Sequence, residues 1–185
     1  MENNFIVMKN KIKWENKEYK PRQIFLFLIL LGVFFVIIIP AILIVLPYFI
    51  DSSLSIPRFI YEPINYIIGT ILIITGMVFA LWSIYIQYKI GRGTPAPMIM
   101  PTQKLIIEKP YSYCRNPMAL GTIIAYLGIG ILIGSFSSIT LTIIMSTALL
   151  LYIRYTEERE LAEKFGVSYL KYKEITPFII PRLWK

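Results

Sequence analysis

The sequence predicts an all-α, polytopic helical membrane protein with four transmembrane helices, both termini cytoplasmic, and spans three and four folded as a tight hairpin. Composition is the first reason. Of 185 residues, 56% are hydrophobic and 16% charged, with a mean hydropathy of +0.63, against about 25% charged residues in a soluble domain. The second is a set of three charge-free stretches, 24–50, 63–88 and 116–153, each longer than the roughly 20 residues that cross a bilayer core. The third is where the 19 Lys and Arg residues fall. Six precede the first stretch, twelve lie in 89–115 or after Ile153, and Arg58 alone sits between spans one and two. The positive-inside rule then puts both termini and the 89–115 connection in the cytoplasm, which requires an even number of crossings.

The chain reads as one membrane-embedded domain, 1–185. Residues 1–23 form a basic lead, either a short interfacial helix or a disordered charged tail. Span one, 24–50, is too long for the apolar core of a cleaved signal peptide. Its Pro40 and Pro47 remove helix hydrogen bonds and predict a kink or an early helix end. Span two is 63–88. After it, Gly91-Arg92-Gly93-Thr94-Pro95-Ala96-Pro97 cannot continue a helix and is read as a turn. A short β-like run, Leu105-Ile106-Ile107, follows. The 38-residue stretch 116–153 exceeds one ordinary span. Gly134-Ser135-Phe136-Ser137-Ser138 breaks it, giving spans 116–134 and 136–153. Gly130 and Gly134 form a small-xxx-small pattern that lets the two arms pack. Residues 154–165 continue as a charged helix with Gly166 as its cap, a second helix resumes over 168–173, and the apolar, aromatic 178–184 tail suits the membrane interface.

Composition excludes several chemistries. With no His there is no Ser-His-Asp triad, no His-ligated metal and no His base, so no metal site is expected. The lone Cys114 rules out an intramolecular disulfide. The net charge of +8 follows from topology and attraction to anionic headgroups, and no nucleic-acid partner is expected.

Two clusters carry candidate chemistry. Asn116 and Pro117 suit the cap and first position of span three. A helix start there presents unpaired N–H groups and a positive dipole end to a ligand carboxylate. Arg115 beside it either joins such a site or anchors the helix at the headgroups, with the residues leaving both open. Glu157 and Glu158 lie one turn past span four. They bind an amine or hydroxyls of a cationic ligand, or they belong to a solvated face paired with Arg154, Arg159 and Lys164, which the residues alone favour. If spans three and four are a hairpin, both clusters meet at one end.

The ordered set Leu105-Ile106, Lys109-Pro110-Tyr111, Arg115-Asn116-Pro117-Met118, the hydrophobic stretch and Glu157-Glu158 resembles the isoprenylcysteine carboxyl methyltransferase family and the related phospholipid methyltransferases. The likeness extends upstream to 91–97 and downstream to Phe165-Gly166, Tyr169, Tyr172 and Ile180-Pro181-Arg182-Leu183. It departs from the family pattern at Asn116, Ala119 and Lys109, where the family has His, Tyr and Gly. The resemblance implies a multi-pass methyltransferase that holds S-adenosyl-L-methionine in a cytoplasm-facing pocket, with a lipid or lipidated acceptor arriving from the bilayer; the small, loop-poor chain suits a plasma membrane. It implies cofactor contacts from Gln103, Lys104, Leu105, Ile106, Tyr111, Asn116, Pro117, Met118, Ala119 and Glu157. Arg154 would take a substrate anion, and Glu158 is the second catalytic candidate. The acceptor expected is a prenylated-cysteine-like carboxylate or other lipid, with a phospholipid amine as alternative. A non-catalytic membrane scaffold or lipid-binding protein is the rival of another class. The oligomeric state is not legible.

Overall fold

The computed structural model describes residues 21–91 and 102–182. Among these every regular element is a helix and no strand occurs. The first helical column comprises α1 (Pro21–Val33), a π-helical turn (Phe34–Ile38) and α2 (Ile39–Ser53). The second is α3 (Ile64–Ile86), ending in a π turn at Gln87–Gly91. The helix α4 (Pro117–Ile133) and α5 (Phe136–Tyr152) follow, and a third π turn (Ile153–Glu157) leads into α6 (Glu158–Phe165). After Gly166 comes α7 (Val167–Ile175).

Three columns, Ile29–Ser53, Ile64–Gly91 and Phe136–Phe165, are long and apolar enough to cross a membrane, and Pro117–Ile133 is a shorter apolar helix. At 17 residues α4 stands at the lower bound of what spans a bilayer core. It is also the most enclosed helix, with Ala119, Gly121, Ala125, Gly128 and Gly130 buried.

Span one does not end early at its prolines. The helix continues to Ser53, and the structure shows how. In the π register Ile39 N–H donates to Phe34 O, five residues back, so the next carbonyl, Phe35 O, falls to Pro40, which has no N–H. The Tyr126 hydroxyl of α4 donates to Phe35 O at 2.7 Å. Pro47 likewise leaves Leu43 O without an α-helical donor, and the Ser138 hydroxyl of α5 donates there at 2.8 Å. Each proline frees a carbonyl that another helix satisfies, as apolar surroundings demand.

α3 and α4 run antiparallel along a seam of small residues that sequence reasoning missed. A Cβ on Gly76 would lie 2.5 Å from Ala125 N and Gly121 O, and one on Gly121 2.6 Å from Ala80 N and Gly76 O. Backbones this close leave no room for side chains. Near the far end the Asn65 amide donates to Leu132 O at 2.7 Å, satisfying a carbonyl in the last turn of α4. Gly134 and Ser135 alone connect α4 to α5. Gly130 faces Ile139 of α5 as expected, but Gly134 does not; it caps α4 at φ +68°, against Ile60 O. Ser135 accepts from Ser138 N–H and caps α5.

The Leu105–Ile107 run is irregular rather than β-like, because no strand lies among the described residues for it to pair with. The lead 1–20, most of the Gly91-to-Pro97 turn and Trp184 lie outside the described residues.

Candidate functional site

Both long helices that reach the Asn116 end change to π register there, over Gln87–Gly91 and Ile153–Glu157. Such turns alter which side chains share a face and recur at functional sites. The charge-free part of the third column stops at Ile153, and residues 154–165 carry seven charged side chains. Glu157 and Glu158 therefore lie outside the apolar crossing segment.

Glu158 is the hub of this end. Its carboxylate, 2% exposed, takes Arg115 Nη2 at 2.7 Å and Nε at 2.8 Å, Lys173 Nζ at 2.8 Å and, more distantly, Arg154 Nη1 at 3.6 Å. Burial pushes this carboxyl up, but hydrogen bonds from Lys173 and Arg115 outweigh it and hold Glu158 below the usual carboxylate range. Arg115 also donates to Lys173 O at 3.0 Å and Thr176 O at 2.5 Å. The headgroup-anchor alternative for Arg115 does not hold. Its side chain, 7% exposed, is no headgroup anchor, and its guanidinium donors are turned inward to Glu158 and backbone carbonyls.

Adjacent in sequence, Glu157 differs in kind. It makes no ion pair among the described residues. Burial raises its carboxyl to about 7, with the nearby Glu160 adding to the rise. A carboxyl so placed ionises readily when a cation arrives.

Asn116 occupies the N-cap position of α4, but its side chain forms no cap. The amide donates instead to Phe178 O at 2.9 Å, which leaves the first N–H groups of α4 without a side-chain cap. Pro117 and Ala119 are buried and Met118 is partly so. Phe178 belongs to a strap, 172–182, that crosses the 111–116 segment. Tyr172 donates its hydroxyl to Tyr111 O at 2.7 Å, Arg115 N–H donates to Pro177 O at 2.8 Å, and Arg182 N–H to Tyr113 O at 2.9 Å. The Arg115 and Arg154 guanidinium carbons stand 5.7 and 5.4 Å from the Phe178 ring centre. Phe178 thus packs into the site rather than serving only as an interfacial end.

The 102–111 segment folds back on the π turn. Gln103 and Lys104 N–H both donate to Gly91 O, at 2.7 and 3.4 Å. A Cβ on Gly91 would come within 2.8 Å of Ile106 Cδ1 and 2.9 Å of Thr102 Cγ2, so a larger residue there would have to displace those two side chains. Ile106 is buried, Leu105 partly so, and the Gln103 and Lys104 side chains are exposed. Tyr111 donates to Gln87 Oε1 at 3.2 Å, and the Gln87 amide in turn donates to Thr102 Oγ1 at 3.3 Å. Burial raises the Tyr111 hydroxyl beyond its ordinary value, with Cys114 and Glu157 adding to it, and raises Tyr172 likewise. Burial also pushes the Cys114 thiol up to about 11. All three stay protonated near neutrality.

The structure therefore joins Arg115, Glu158 and Arg154 directly and sets Glu157 electrostatically against Tyr111, while the Gln103 and Lys104 side chains point outward. Sequence reasoning missed Lys173, Gln87 and the strap. Lys173 carried no signal, since Lys171 two positions earlier on the same helix looks alike in sequence.

Residues 64–168, more than half of the chain, match the family described as phospholipid methyltransferase. The chain belongs to the phospholipid methyltransferase family. Its members are membrane methyltransferases that act on lipid-like substrates and generally draw the methyl group from S-adenosylmethionine. The matched region opens at the first residue of α3 and closes in α7. It contains Glu157, Glu158, Arg115 and Asn116, whereas Lys173 and Phe178 lie beyond it. No curated protein and no solved structure matches this phospholipid methyltransferase family member.

Proposed function

We propose that this chain transfers a methyl group from S-adenosylmethionine to a carboxylate on a membrane lipid or lipidated small molecule, at the end of the bundle where α4 begins and α5 gives way to α6. The observation that carries this reading is the contrast between the two adjacent glutamates. Glu158 is spent on Arg115 and Lys173, whereas Glu157 is left with a carboxyl raised to about 7. The residues fit the cofactor on two counts. Glu157 suits its ammonium, and the α4 start without a side-chain cap suits its carboxylate. When bound, the cofactor supplies a methyl group made electrophilic by a positively charged sulfur.

The chain's own contribution is binding and alignment. In the transfer a bond forms between the acceptor oxygen and the methyl carbon as the carbon–sulfur bond breaks, and the electron pair of that bond stays on sulfur. Opposite charges are neutralised, so alignment and exclusion of water count most. No proton moves when the acceptor is a carboxylate. That suits a site whose Tyr111, Tyr172 and Cys114 remain protonated and whose Glu158 is held by two cations. Arg154, half exposed beside Phe178, is the candidate for the acceptor's anion, and Tyr111, Ile106 and the 103–105 backbone form the wall behind the cofactor. The positive-inside charge pattern supports a cytoplasmic position for this end, and the small, loop-poor chain suits a plasma membrane.

A phospholipid amine is the second reading, favoured by Glu157 itself, since a carboxyl near 7 can accept an ammonium proton. Membranes containing the protein, given methyl-labelled S-adenosylmethionine, separate the two. Label released as methanol by mild alkali marks a methyl ester. Alkali-stable label in the lipid fraction marks an N-methyl product and overturns the carboxylate reading.

A further inference from the structure

At the end of the bundle remote from Glu157, α2, the loop before α3 and the α4–α5 turn line an open cavity of about 480 Å³. The 17 residues of α4 rise roughly 25 Å, so this cavity is separated from the α4 start by most of a bilayer core. Its lining combines one acid and one base, Asp51 and Arg58, with serine hydroxyls and with apolar walls that include Ile44 and Ile133.

The two charges are differently held. Asp51 accepts from the hydroxyls of Ser135 and Ser137, which fix its carboxylate while leaving acceptor capacity, since a carboxylate offers about four lone-pair sites. Arg58 is the sole Lys or Arg between spans one and two. Its Cβ and Cγ lie 3.4 and 3.6 Å from where a Gly134 Cβ would stand, so the turn pins its stem. Among the described residues no hydrogen bond or ion pair engages its guanidinium.

We infer that this cavity binds the headgroup of a zwitterionic aminophospholipid from the leaflet at that end, with Arg58 taking the phosphodiester and Asp51 the ammonium. A guanidinium matches phosphate oxygens in geometry and charge. The lining sets Ile44, Ile56 and Ile133 beside these polar groups, apolar surface that a lipid's chains can use and a soluble anion cannot. The site is distinct from the methyl-transfer end and does not depend on the reading given there.

The test is phospholipid retention by the detergent-purified full chain, read by mass spectrometry after exchange into micelles doped with phosphatidylethanolamine or phosphatidylglycerol. Wild type retains phosphatidylethanolamine in preference to phosphatidylglycerol. Arg58→Gln loses retention of both by about tenfold or more, the scale of one charge-assisted contact, with its melting temperature in lipid-free detergent unchanged. Asp51→Asn, if it folds, loses the preference between them. Wild-type retention by Arg58→Gln overturns the inference. Complete displacement of the lipid by soluble glycerophosphoethanolamine also overturns it, in favour of a soluble phosphodiester.

Discussion

Arg115 and Glu158, 43 positions apart in the chain, meet through two contacts of 2.7 and 2.8 Å with both side chains at least nine-tenths buried. This pair fastens the segment before α4 to the helix after α5, and Lys173 brings α7 to the same carboxylate. The end of the bundle where α4 begins is thus braced by a carboxylate that ties three segments of the chain together.

Removing the Glu158 carboxylate leaves Arg115 buried without its counter-charge. Glu158→Ala is expected to destabilise by about 3–5 kcal/mol, measured as loss of thermal stability in detergent, with Glu163→Ala close to neutral because its pairing with Arg159 is exposed. Because the folded Glu158 carboxyl lies below its unfolded value, its stabilisation is present above the ordinary carboxylate range. It is lost as pH falls through the lower folded value.

Glu157 behaves with the opposite sign. Its folded carboxyl is raised to about 7, so its ionisation costs stability as pH rises from the ordinary carboxylate range through neutrality. Glu157→Gln is expected to remove that slope. Unfolding measured at a series of pH values should show a flatter profile in the variant and no loss of stability at pH 8.

The α3–α4 seam admits no side chain at its closest points. Gly76→Leu and Gly121→Leu each place a branched side chain against backbone that a Cβ alone would meet at 2.5–2.6 Å. Each should lower folded yield and thermal stability by more than the roughly 1–3 kcal/mol of ordinary overpacking. Gly32→Leu, with nothing within 4 Å, should behave as wild type.

Tyr126→Phe removes the donor to Phe35 O. The expected cost is about 0.6 kcal/mol, with about 1.7 as the upper range for such bonds in membranes. Pro40→Ala should lessen it, since an alanine restores an N–H within reach of the freed carbonyls. A double-mutant cycle on thermal stability checks the coupling.

Much of the architecture could be read from charge. The first two charge-free stretches match helices to within a few residues at each end, because Lys, Arg, Asp and Glu are costly in hydrocarbon, whereas the third helical column runs on through charged residues to Phe165. Gly134 and Ser135 were legible as a break for the same reason that they form one: a left-handed glycine followed by a serine cap. Of the kink or early end expected at the prolines, the early end does not occur, because whether Pro40 and Pro47 end a helix depends on whether Tyr126 and Ser138, some 90 residues away, can satisfy the freed carbonyls. The glycine seam was missed because Gly69, Gly76, Gly121 and Gly128 recur at seven-residue spacing across two spans rather than as a local motif. At the site, Arg115 could be read as near the glutamates but not as Glu158's partner. Adjacent Glu157 and Glu158 look alike in sequence, and only the π turn and the placement of Lys173 separate a braced carboxylate from an available one.

That separation is tested most directly by calorimetric titration of S-adenosylmethionine into the detergent-purified protein and into Glu157→Gln. The account predicts saturable binding to wild type that tightens as pH rises through about 7, as a carboxyl must ionise to meet a cation. It predicts binding to Glu157→Gln weaker by about tenfold or more, with the pH trend gone. Equal affinity and equal pH dependence in a folded Glu157→Gln would contradict the assignment of Glu157, and no binding to folded wild type would contradict the methyltransferase site itself.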